Sequence, residues 1–214
     1  MTSDRKCYGQ RCPMAMALDV VGERWTLLIL RELLGGAARY NQLLEGLPGI
    51  ARNLLSARLR RLEEDGIVER VKVGSATAYA LTELGTSIRP TLEALGFWGA
   101  RLERIGPAEH DRSIRAIAMA LQAILVHAGG PLPDESVAVE LIVGGEAVEI
   151  VLGPRPLAIA RSSPRAAAQV QVSRATMSAY LSGESSKSGG FVHVSGDPAA
   201  TEALVAALRI TVAS

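Results

Sequence analysis

The sequence predicts an α+β protein in two parts: a helix-rich first half with a small β-hairpin, and a smaller second half with a mostly antiparallel sheet. Apolar residues recur at helical spacing through the first half, and charged residues become scarce beyond Arg112. In the second half, two alternating apolar segments flank Gly144-Gly145, which is typical of a hairpin. Gly106-Pro107 breaks the preceding helix, so we predict domains at 1–106 and 111–214.

The composition is that of a globular chain able to build its own cores. The chain has 214 residues, of which 48% are hydrophobic, and its net charge is only +1. Any attraction to phosphates must therefore come from local clusters of basic residues rather than from the whole molecule. The polar start, the short apolar runs and the presence of only Cys7 and Cys12 favour a cytoplasmic protein without membrane contact or a disulfide framework.

The first half reads as four helices, a hairpin and a terminal helix. Gly and Pro residues between the apolar runs set the boundaries. The predicted helices are Met14–Val21, Arg24–Leu34, Tyr40–Leu47 and Ala51–Asp65, followed by strands Ile67–Val73 and Ala78–Leu81 and one long helix from Thr82 to about Ile105. This order is that of a winged helix-turn-helix. A plain helical bundle could use the same first three helices, but the hairpin directly after the fourth helix favours the winged form.

The second half alternates strands and helices. The predicted elements are helix Ser113–His127, strands Val137–Val143, Ala147–Leu152, Leu157–Arg161 and Gln169–Val172, helix Thr176–Leu181, strand Phe191–Val194 and helix Ala199–Leu208. We find no nucleophile elbow, paired catalytic carboxylates or phosphate-binding glycine loop, so we do not expect an enzyme. The cysteines and the distant histidines lack metal-ligand spacing, so no metal or cofactor is expected.

The fourth helix carries the pattern of a DNA-reading helix. Leu55, Leu59 and Leu62 recur at helical spacing and should face the core, which turns a cationic, amide-bearing face outward. Arg suits guanine edges, Asn suits adenine, and small residues let the backbone approach the groove. The candidate DNA-binding residues are Arg52, Asn53, Ser56, Ala57, Arg60, Arg61, Arg39 and Lys72. The alternative interpretation is that an Arg-rich helix face is only exposed to solvent and binds nothing. The place of this helix after a helix–Pro-Gly turn and before a hairpin favours DNA contact.

The hairpin leaves two interpretations open. Arg70 and Lys72 precede its tip at Gly74–Thr77, where wings commonly contact phosphates. Both residues equally suit a solubilising role on an edge strand.

Several separated motifs of the first half resemble the HxlR-type regulators. They are Cys12–Met14, Leu18–Leu33, Tyr40–Leu43, Leu47–Ile50, Leu59–Val68, Tyr79 and Leu81–Gly85, and the likeness covers residues 7–105. The resemblance implies a MarR-related winged helix, a homodimer and binding to palindromic double-stranded DNA. Ala51 departs from the family, which usually has Ser there as a helix N-cap. The wing is also short, so contact by the helix is better supported than contact by the wing.

The long helix carries a candidate dimerisation face. Its members are Ile88, Leu92, Leu95, Trp98 and Leu102. Part of this face could cover the domain's own core, but one small domain cannot easily bury so long a stripe. The family resemblance also implies pairing of the terminal helix with its mate, together with the N-terminal segment.

Cys12 is a candidate redox sensor because HxlR-type proteins often carry a cysteine there. A sensing thiol needs exposure and a lowered pKa, which nearby Arg11 and Lys6 could supply. The alternative is an inert, partly buried thiol.

The second half resembles the sterol carrier protein fold. The likeness rests on the leading helix, the hairpin Val137–Leu152, Val170–Glu184 and Val192–Pro198. It implies an apolar tunnel for hydrophobic molecules. The candidate effector pocket is lined by Leu141, Val143, Val148, Ile150 and Leu152. Any core needs such a face, so a dry core and a second dimer contact stay open.

Two functions follow from these patterns. The first is a dimeric DNA-binding transcriptional regulator, a repressor or an activator, controlled by a hydrophobic small molecule in the second domain. The second is a lipid-binding carrier that uses the winged helix only for dimerisation. The cationic cluster from Arg52 to Arg61 argues against the carrier, because dimerisation does not require that charge.

Overall fold

A computed structural model describes residues 7–99, 113–127, 129–181, 190–209 and 212–213. The chain divides into two compact units. The first contains the described residues up to 33 together with 37–88, and the second contains 34–36 and the described residues from 89 onward. No helix within these ranges combines the length and the apolar character needed to cross a membrane.

The first unit is helical with one β-hairpin. Its elements are α1 Pro13–Val21, α2 Thr26–Leu34, α3 Tyr40–Gly46, α4 Arg52–Glu64, β1 Val68–Val73, β2 Ala76–Leu81 and α5 Glu83–Thr86. The two strands pair antiparallel from Val68↔Leu81 to Val73↔Ala76. Ala38 adds a short bridge to Tyr79 by two backbone hydrogen bonds, of 2.9 and 2.8 Å. The bridge anchors the segment before α3 to the hairpin.

Leucine and isoleucine side chains from α2, α3 and α4 form the core of this unit. The side chains of Leu55, Leu59 and Leu62 are buried on one face of α4, as their helical spacing predicts. They lie in the same unit as buried Ile29 and Leu30 of α2. Each fully buried leucine or isoleucine contributes about 1.5–3 kcal/mol of transfer free energy, so the orientation of α4 about its axis is strongly fixed.

The predicted single helix from Thr82 to Ile105 is wrong. The chain forms α5, breaks at Ser87–Ile88 and restarts as α6 Arg89–Gly99. Pro90 explains the break, because it has no N–H to donate to the carbonyl of Thr86 and its ring would clash with that carbonyl. Thr82 does cap α5, since its hydroxyl accepts a 3.0 Å hydrogen bond from Gly85 N–H. Residues 100–105 of the predicted helix lie outside the described ranges.

The second unit is a mixed sheet with helices. Its elements are α6 Arg89–Gly99, α7 Ile114–His127, β3 Val137–Val143, β4 Glu146–Leu152, β5 Leu157–Ile159, β6 Ala168–Val172, α8 Arg174–Leu181, β7 Phe191–Gly196, α9 Pro198–Leu208 and β8 Val212–Ala213. The described strands lie in the order β5-β4-β3-β6-β7-β8. The pairings β4–β5, β3–β4 and β6–β7 are antiparallel, whereas β3–β6 and β7–β8 are parallel. The short strand β8 was not predicted from the sequence.

Alternate residues of β3, β4 and β6 enter a single hydrophobic core with α7 and α9. Val139, Leu141 and Val143 of β3 are fully buried, and their partners on β6, Ala168, Val170 and Val172, are at most 2% exposed. Helix α6 belongs to this unit by its packing on α7, where the Phe97 ring stacks on the His127 ring at a centroid distance of 5.5 Å. The two compact units divide near residue 89. Gly106-Pro107, where the sequence predicts the joint between domains, lies outside the described residues.

We expect Ala51→Ser to stabilise the first unit. Ala51 occupies the N-cap of α4 in extended conformation and offers no side-chain cap, while Asn53 Oδ1 accepts a 2.9 Å bond from Leu54 N–H instead. A serine hydroxyl at the N-cap should raise the free energy of unfolding by about 1 kcal/mol. Chemical denaturation measures this. Ala57→Ser, the same change at an exposed mid-helix position, should give no gain. Equal effects of the two variants would contradict the capping argument.

We expect Glu93→Gln to make stability less dependent on pH. Glu93 of α6 is buried, its Oε1 has no hydrogen-bond partner among the described residues, and burial raises the pKa of its carboxyl. A raised pKa in the folded state means that stability falls as pH rises above the carboxyl's ordinary value. The variant should therefore have the higher Tm at pH 7, and the two Tm values should converge when Glu93 is protonated in acid. A wild-type Tm above that of the variant at pH 7 would contradict this.

Candidate nucleic-acid interface

Helices α3 and α4 form a helix-turn-helix whose turn is set by one glycine. The segment between them contains Pro48-Gly49, and Gly49 has φ +91°, a conformation that residues with a Cβ rarely adopt. Leu47 and Ile50 on either side of this pair are buried. The turn is thereby held against the core, and α4 starts at Arg52 with its leucines facing inward.

The structure brings five of the predicted residues together on the outer side of α4. Arg52, Asn53, Ser56, Ala57 and Arg60 are all exposed, on the side of the helix away from Leu55, Leu59 and Leu62. We call these five residues the outer face of α4. Within the described part of the chain, neither Arg52 nor Arg60 has an ion-pair partner. Their guanidinium groups are therefore available to phosphates or guanine edges.

Two other arginines of this unit are engaged by carboxylates. Arg58 Nη2 lies 2.8 Å from Glu23 Oε2, and Arg70 Nε lies 2.7 Å from Glu63 Oε1. The Arg70 guanidinium also lies over the Tyr79 ring at 5.6 Å. Arg70 thus braces the wing against α4, which favours a structural role over phosphate contact. Arg61 is half-buried and also has an interaction partner.

Tyr40 is a residue of the interface that the sequence analysis missed. Its hydroxyl donates a 2.7 Å hydrogen bond to the carbonyl of Arg52 and accepts a 3.2 Å bond from Ser56 Oγ. The first residue of α3 is thereby tied to the first turn of α4. The sequence offered only a tyrosine at a helix start as a signal, and that position does not reveal a long-range hydrogen bond.

The remaining two predicted DNA-binding residues, Arg39 and Lys72, lie outside α4: Arg39 precedes α3, and Lys72 lies on β1. Arg39 is exposed directly before Tyr40, and its backbone N–H donates a 2.8 Å bond to Gln42 Oε1, which caps α3. Since Tyr40 contacts Arg52, Arg39 lies near the N-terminus of α4. Lys72 is exposed on β1, where its Nζ donates a 3.1 Å bond to Thr77 Oγ1 across the hairpin.

The predicted dimerisation face contains both buried and exposed residues. Leu92 is only 8% exposed and Ile88 is half-buried, whereas Leu95 and Trp98 are 41% and 58% exposed. Leu92 thus serves its own unit, which is the alternative that the sequence left open for part of the stripe. Leu95 and Trp98 present apolar surface to solvent. Leu102 lies outside the described residues.

Cys12 is exposed at the N-cap of α1. The backbone N–H groups of Ala15 and Met14 lower the pKa of its thiol. The source of this shift is the start of α1. Of the two basic residues that we considered from the sequence, Lys6 lies outside the described residues. Cys7 is also exposed, but its thiol donates a 3.1 Å hydrogen bond to Asp19 Oδ2.

The predicted effector pocket of the second unit is tightly packed. Its five residues have no exposed surface and belong to one continuous hydrophobic cluster that includes Met177 and Phe191. The five are Leu141, Val143, Val148, Ile150 and Leu152. This packing favours the dry core over the tunnel.

The other face of the same sheet holds a polar cluster that the sequence did not reveal. Glu140 and Glu149 face each other across β3 and β4 and are both buried. Glu140 accepts hydrogen bonds from Ser162, Ser163 and Gln169, and the bond from Ser162 is the main cause of its lowered pKa. Glu149 accepts bonds from Arg161 and Ser163. Because every carboxylate oxygen has a donor, the cluster fastens the loop after β5 to the sheet.

Comparison with known proteins places the first half of the chain. The model of the family described as HxlR-like helix-turn-helix matches residues 20–105. The uncharacterized HTH-type transcriptional regulator sll1512 of Synechocystis is 39% identical over 90 residues, which is 41% of this chain and 67% of that protein. The uncharacterized HTH-type transcriptional regulator YdeP of Bacillus subtilis is 32% identical over 105 residues, which is 47% of this chain and 82% of that protein.

A solved structure is also similar to part of this chain. The crystal structure of the quinone-bound YodB from B. subtilis is 34% identical, covers 42% of this chain and 99% of that chain, and has a TM-score of 0.38. The family and the curated relatives are transcriptional regulators and not enzymes. Because relatives above 30% identity are matched over more than two thirds of their length, the chain belongs to the HxlR-like helix-turn-helix family of transcriptional regulators.

Proposed function

We propose that this chain is a DNA-binding transcriptional regulator that reads the major groove with the outer face of α4. The observation that carries the proposal is the pairing state of the arginines in the first unit. Arg58 and Arg70 are bound to carboxylates, whereas Arg52 and Arg60 lie exposed on the side of α4 away from the core. An α-helix fits the major groove of DNA. In a helix-turn-helix the second helix lies in that groove, and α4 is the second helix of this motif, with its polar side exposed.

The residues of the outer face divide into two roles. Asn53 and Arg52 lie in the first turn of α4, the part of a recognition helix that reaches base edges, and both can form bidentate hydrogen bonds. Arg60 lies two turns further along, and Arg39 and Lys72 lie on neighbouring elements, so we assign these three to phosphates. Ala57 leaves space for close approach of the helix to the groove.

We further propose that the protein acts as a homodimer on a palindromic operator. Two exposed side chains of α6, Leu95 and Trp98, supply an apolar surface of the kind that dimer contacts bury. Met14 and Met16 of α1 are 68% and 60% exposed and offer a second apolar patch. Two half-sites related by a twofold axis match a dimer with one recognition helix in each subunit.

We infer that the second unit is a domain of the sterol-carrier-protein type, in which the described core residues are packed against one another and leave no lipid tunnel among them. From α7 to α9, its order of helix, hairpin, two strands, helix, strand and helix supports the fold resemblance. Its packed core speaks against the alternative function, a lipid carrier, because a bound lipid would have to displace fully buried side chains. A hydrophobic effector therefore needs a different site.

Arg52→Ala and Asn53→Ala are expected to weaken binding to the operator about 5- to 150-fold, since each bidentate base contact contributes about 1–3 kcal/mol of discrimination. Fluorescence anisotropy with the duplex upstream of the protein's own gene and a scrambled duplex measures this. Arg165→Ala, an exposed arginine of the second unit, is the matched control and should bind as wild type does. Absence of salt-sensitive binding to any duplex would refute the proposed function.

Arg60→Ala should act differently from the base-contact variants. If Arg60 contacts a phosphate, removing it should weaken binding about equally on both duplexes. It should also reduce the magnitude of the slope of log affinity against log salt by about 1. A loss confined to the operator would reassign Arg60 to base recognition.

Leu95→Glu combined with Trp98→Glu is expected to convert the dimer to a monomer, because two charges would be placed in an apolar contact. Sedimentation equilibrium measures the mass. Leu84→Glu, at a 61% exposed leucine of α5, is the control and should remain dimeric. A wild-type protein that is monomeric at micromolar concentration would contradict the dimer proposal.

A further inference from the structure

A chain of two hydrogen bonds joins α3 to the outer face of α4. The Tyr40 hydroxyl lies 2.7 Å from the backbone carbonyl oxygen of Arg52, and Ser56 Oγ lies 3.2 Å from the Tyr40 hydroxyl oxygen. Arg52 and Ser56 are one turn apart on α4, on the side away from the buried leucines. Tyr40 is half-buried, whereas Ser56 is exposed. The chain therefore connects the backbone of α4, through a side chain of α3, to a hydroxyl on the proposed DNA-reading surface.

The carbonyl at one end of this chain sets the direction of both protons. A carbonyl oxygen can only accept, so Tyr40 donates its single proton to Arg52 and can only accept from Ser56. A serine inside a helix otherwise donates to the carbonyl four residues earlier, which here is that of Arg52. The two lone pairs of that carbonyl are already used, by the helical N–H of Ser56 and by the Tyr40 hydroxyl. The Ser56 proton therefore points to Tyr40.

A serine whose proton is already used offers only acceptor lone pairs to any further partner. A free serine hydroxyl can donate or accept, so it does not distinguish base edges that donate from those that accept. In the major groove, adenine N6 and cytosine N4 carry donor amino groups, whereas guanine O6 and thymine O4 are acceptors. With its proton on Tyr40, Ser56 can bond an amino group, but it meets a keto oxygen without a proton between the two acceptors.

We propose that Tyr40 makes Ser56 a selective reader of amino bases, so that one base pair of the bound DNA is preferred with adenine or cytosine facing α4. Ser56 follows Asn53 by three residues and Arg52 by four, so it shares their side of the first two turns. This is the part of a recognition helix that reaches base edges. Tyr40 is a positioning residue, because it acts through Ser56. The base preference rests on the proposed function, since it needs α4 in the major groove.

A double-mutant cycle in the full-length protein without DNA tests the hydrogen bond between Ser56 and Tyr40. Ser56→Ala breaks this bond only where the tyrosine hydroxyl is present. Its effect on the midpoint of chemical denaturation should therefore be less favourable in wild type than in Tyr40→Phe. The higher helix propensity of alanine acts in both backgrounds and cancels from the comparison. Equal effects of Ser56→Ala in the two backgrounds would overturn the inference.

Base preference is measured on duplexes. Selection from a randomised pool with the wild-type protein defines its site, and fluorescence anisotropy compares duplexes that differ at one base pair. At the pair whose preference Ser56→Ala erases, wild type should favour A or C over G or T on one strand about two- to tenfold, as expected for one neutral hydrogen bond. Replacing that adenine by purine, or that cytosine by 2-pyrimidinone, removes only the amino group. Wild type should lose the same factor on this change, and Ser56→Ala should lose nothing.

Tyr40→Phe is the decisive variant, because it keeps the ring and frees the Ser56 proton. The amino-to-keto ratio at this base pair should fall towards 1, while the preferences at the other positions of the site are retained. A purely structural role of Tyr40 would instead lower affinity equally on all duplexes. Tyr180→Phe is the matched control. Its hydroxyl donates a 2.6 Å bond to the Leu208 carbonyl in the second unit, so this variant loses the same kind of bond and should keep the wild-type ratio.

Three results on DNA would overturn the role of Ser56 while leaving the proposed function intact. They are an unchanged amino-to-keto ratio in Tyr40→Phe, no base pair whose preference depends on Ser56, and full wild-type affinity for the duplex that lacks the amino group. Absence of salt-sensitive binding to any duplex would overturn the proposed function and the base preference together. The double-mutant cycle would still decide whether Tyr40 holds the Ser56 proton, because it needs no DNA.

Discussion

The burial of three leucines on α4 is the constraint on which the rest of the first unit depends. Leu55, Leu59 and Leu62 lie on one side of a helix of 13 residues, and all three are at most 1% exposed. A rotation of α4 about its axis would expose these leucines and lose several kcal/mol of favourable burial free energy. It would also bury a guanidinium group, which is costly. The exposure of Arg52, Asn53 and Arg60 is therefore a consequence of core packing. The core fixes which side chains the helix offers to a partner.

Ion pairing, rather than net charge, decides which basic side chains of this protein are available to a polyanion. With 23 basic and 22 acidic residues, the chain as a whole has little attraction for a polyanion. In the first unit, Glu23 pairs with Arg58 and Glu63 pairs with Arg70. Exposed ion pairs of this kind add little stability, so their main effect is on which cations remain available. The second unit uses buried carboxylates differently, as acceptors that hold a loop to a sheet.

Local patterns in the sequence predicted most elements, and long-range contacts set the limit. Strand Val137–Val143 has the predicted bounds, and α4 differs from its prediction by one residue at each end, because alternation and helical spacing are local signals. Pro90 is also a local signal, and it predicts the break between α5 and α6, but the single helix predicted from Thr82 to Ile105 did not take it into account. Tyr40 and the pair Glu140–Glu149 could not be found this way, since their partners are 12 or more residues away or lie across strands.

The parallel pairing of β3 with β6 has a consequence for the order in which the chain acquires structure. Val139 pairs with Ala168, and β8 joins the sheet only through residues 212–213, whereas β1 and β2 are joined by a two-residue turn. Non-local pairings form slowly because a long loop must close first. During synthesis, the first unit can fold on the ribosome while most of the sheet is still untranslated. A nascent chain stalled after α5 should thus already contain a protease-resistant helix-turn-helix.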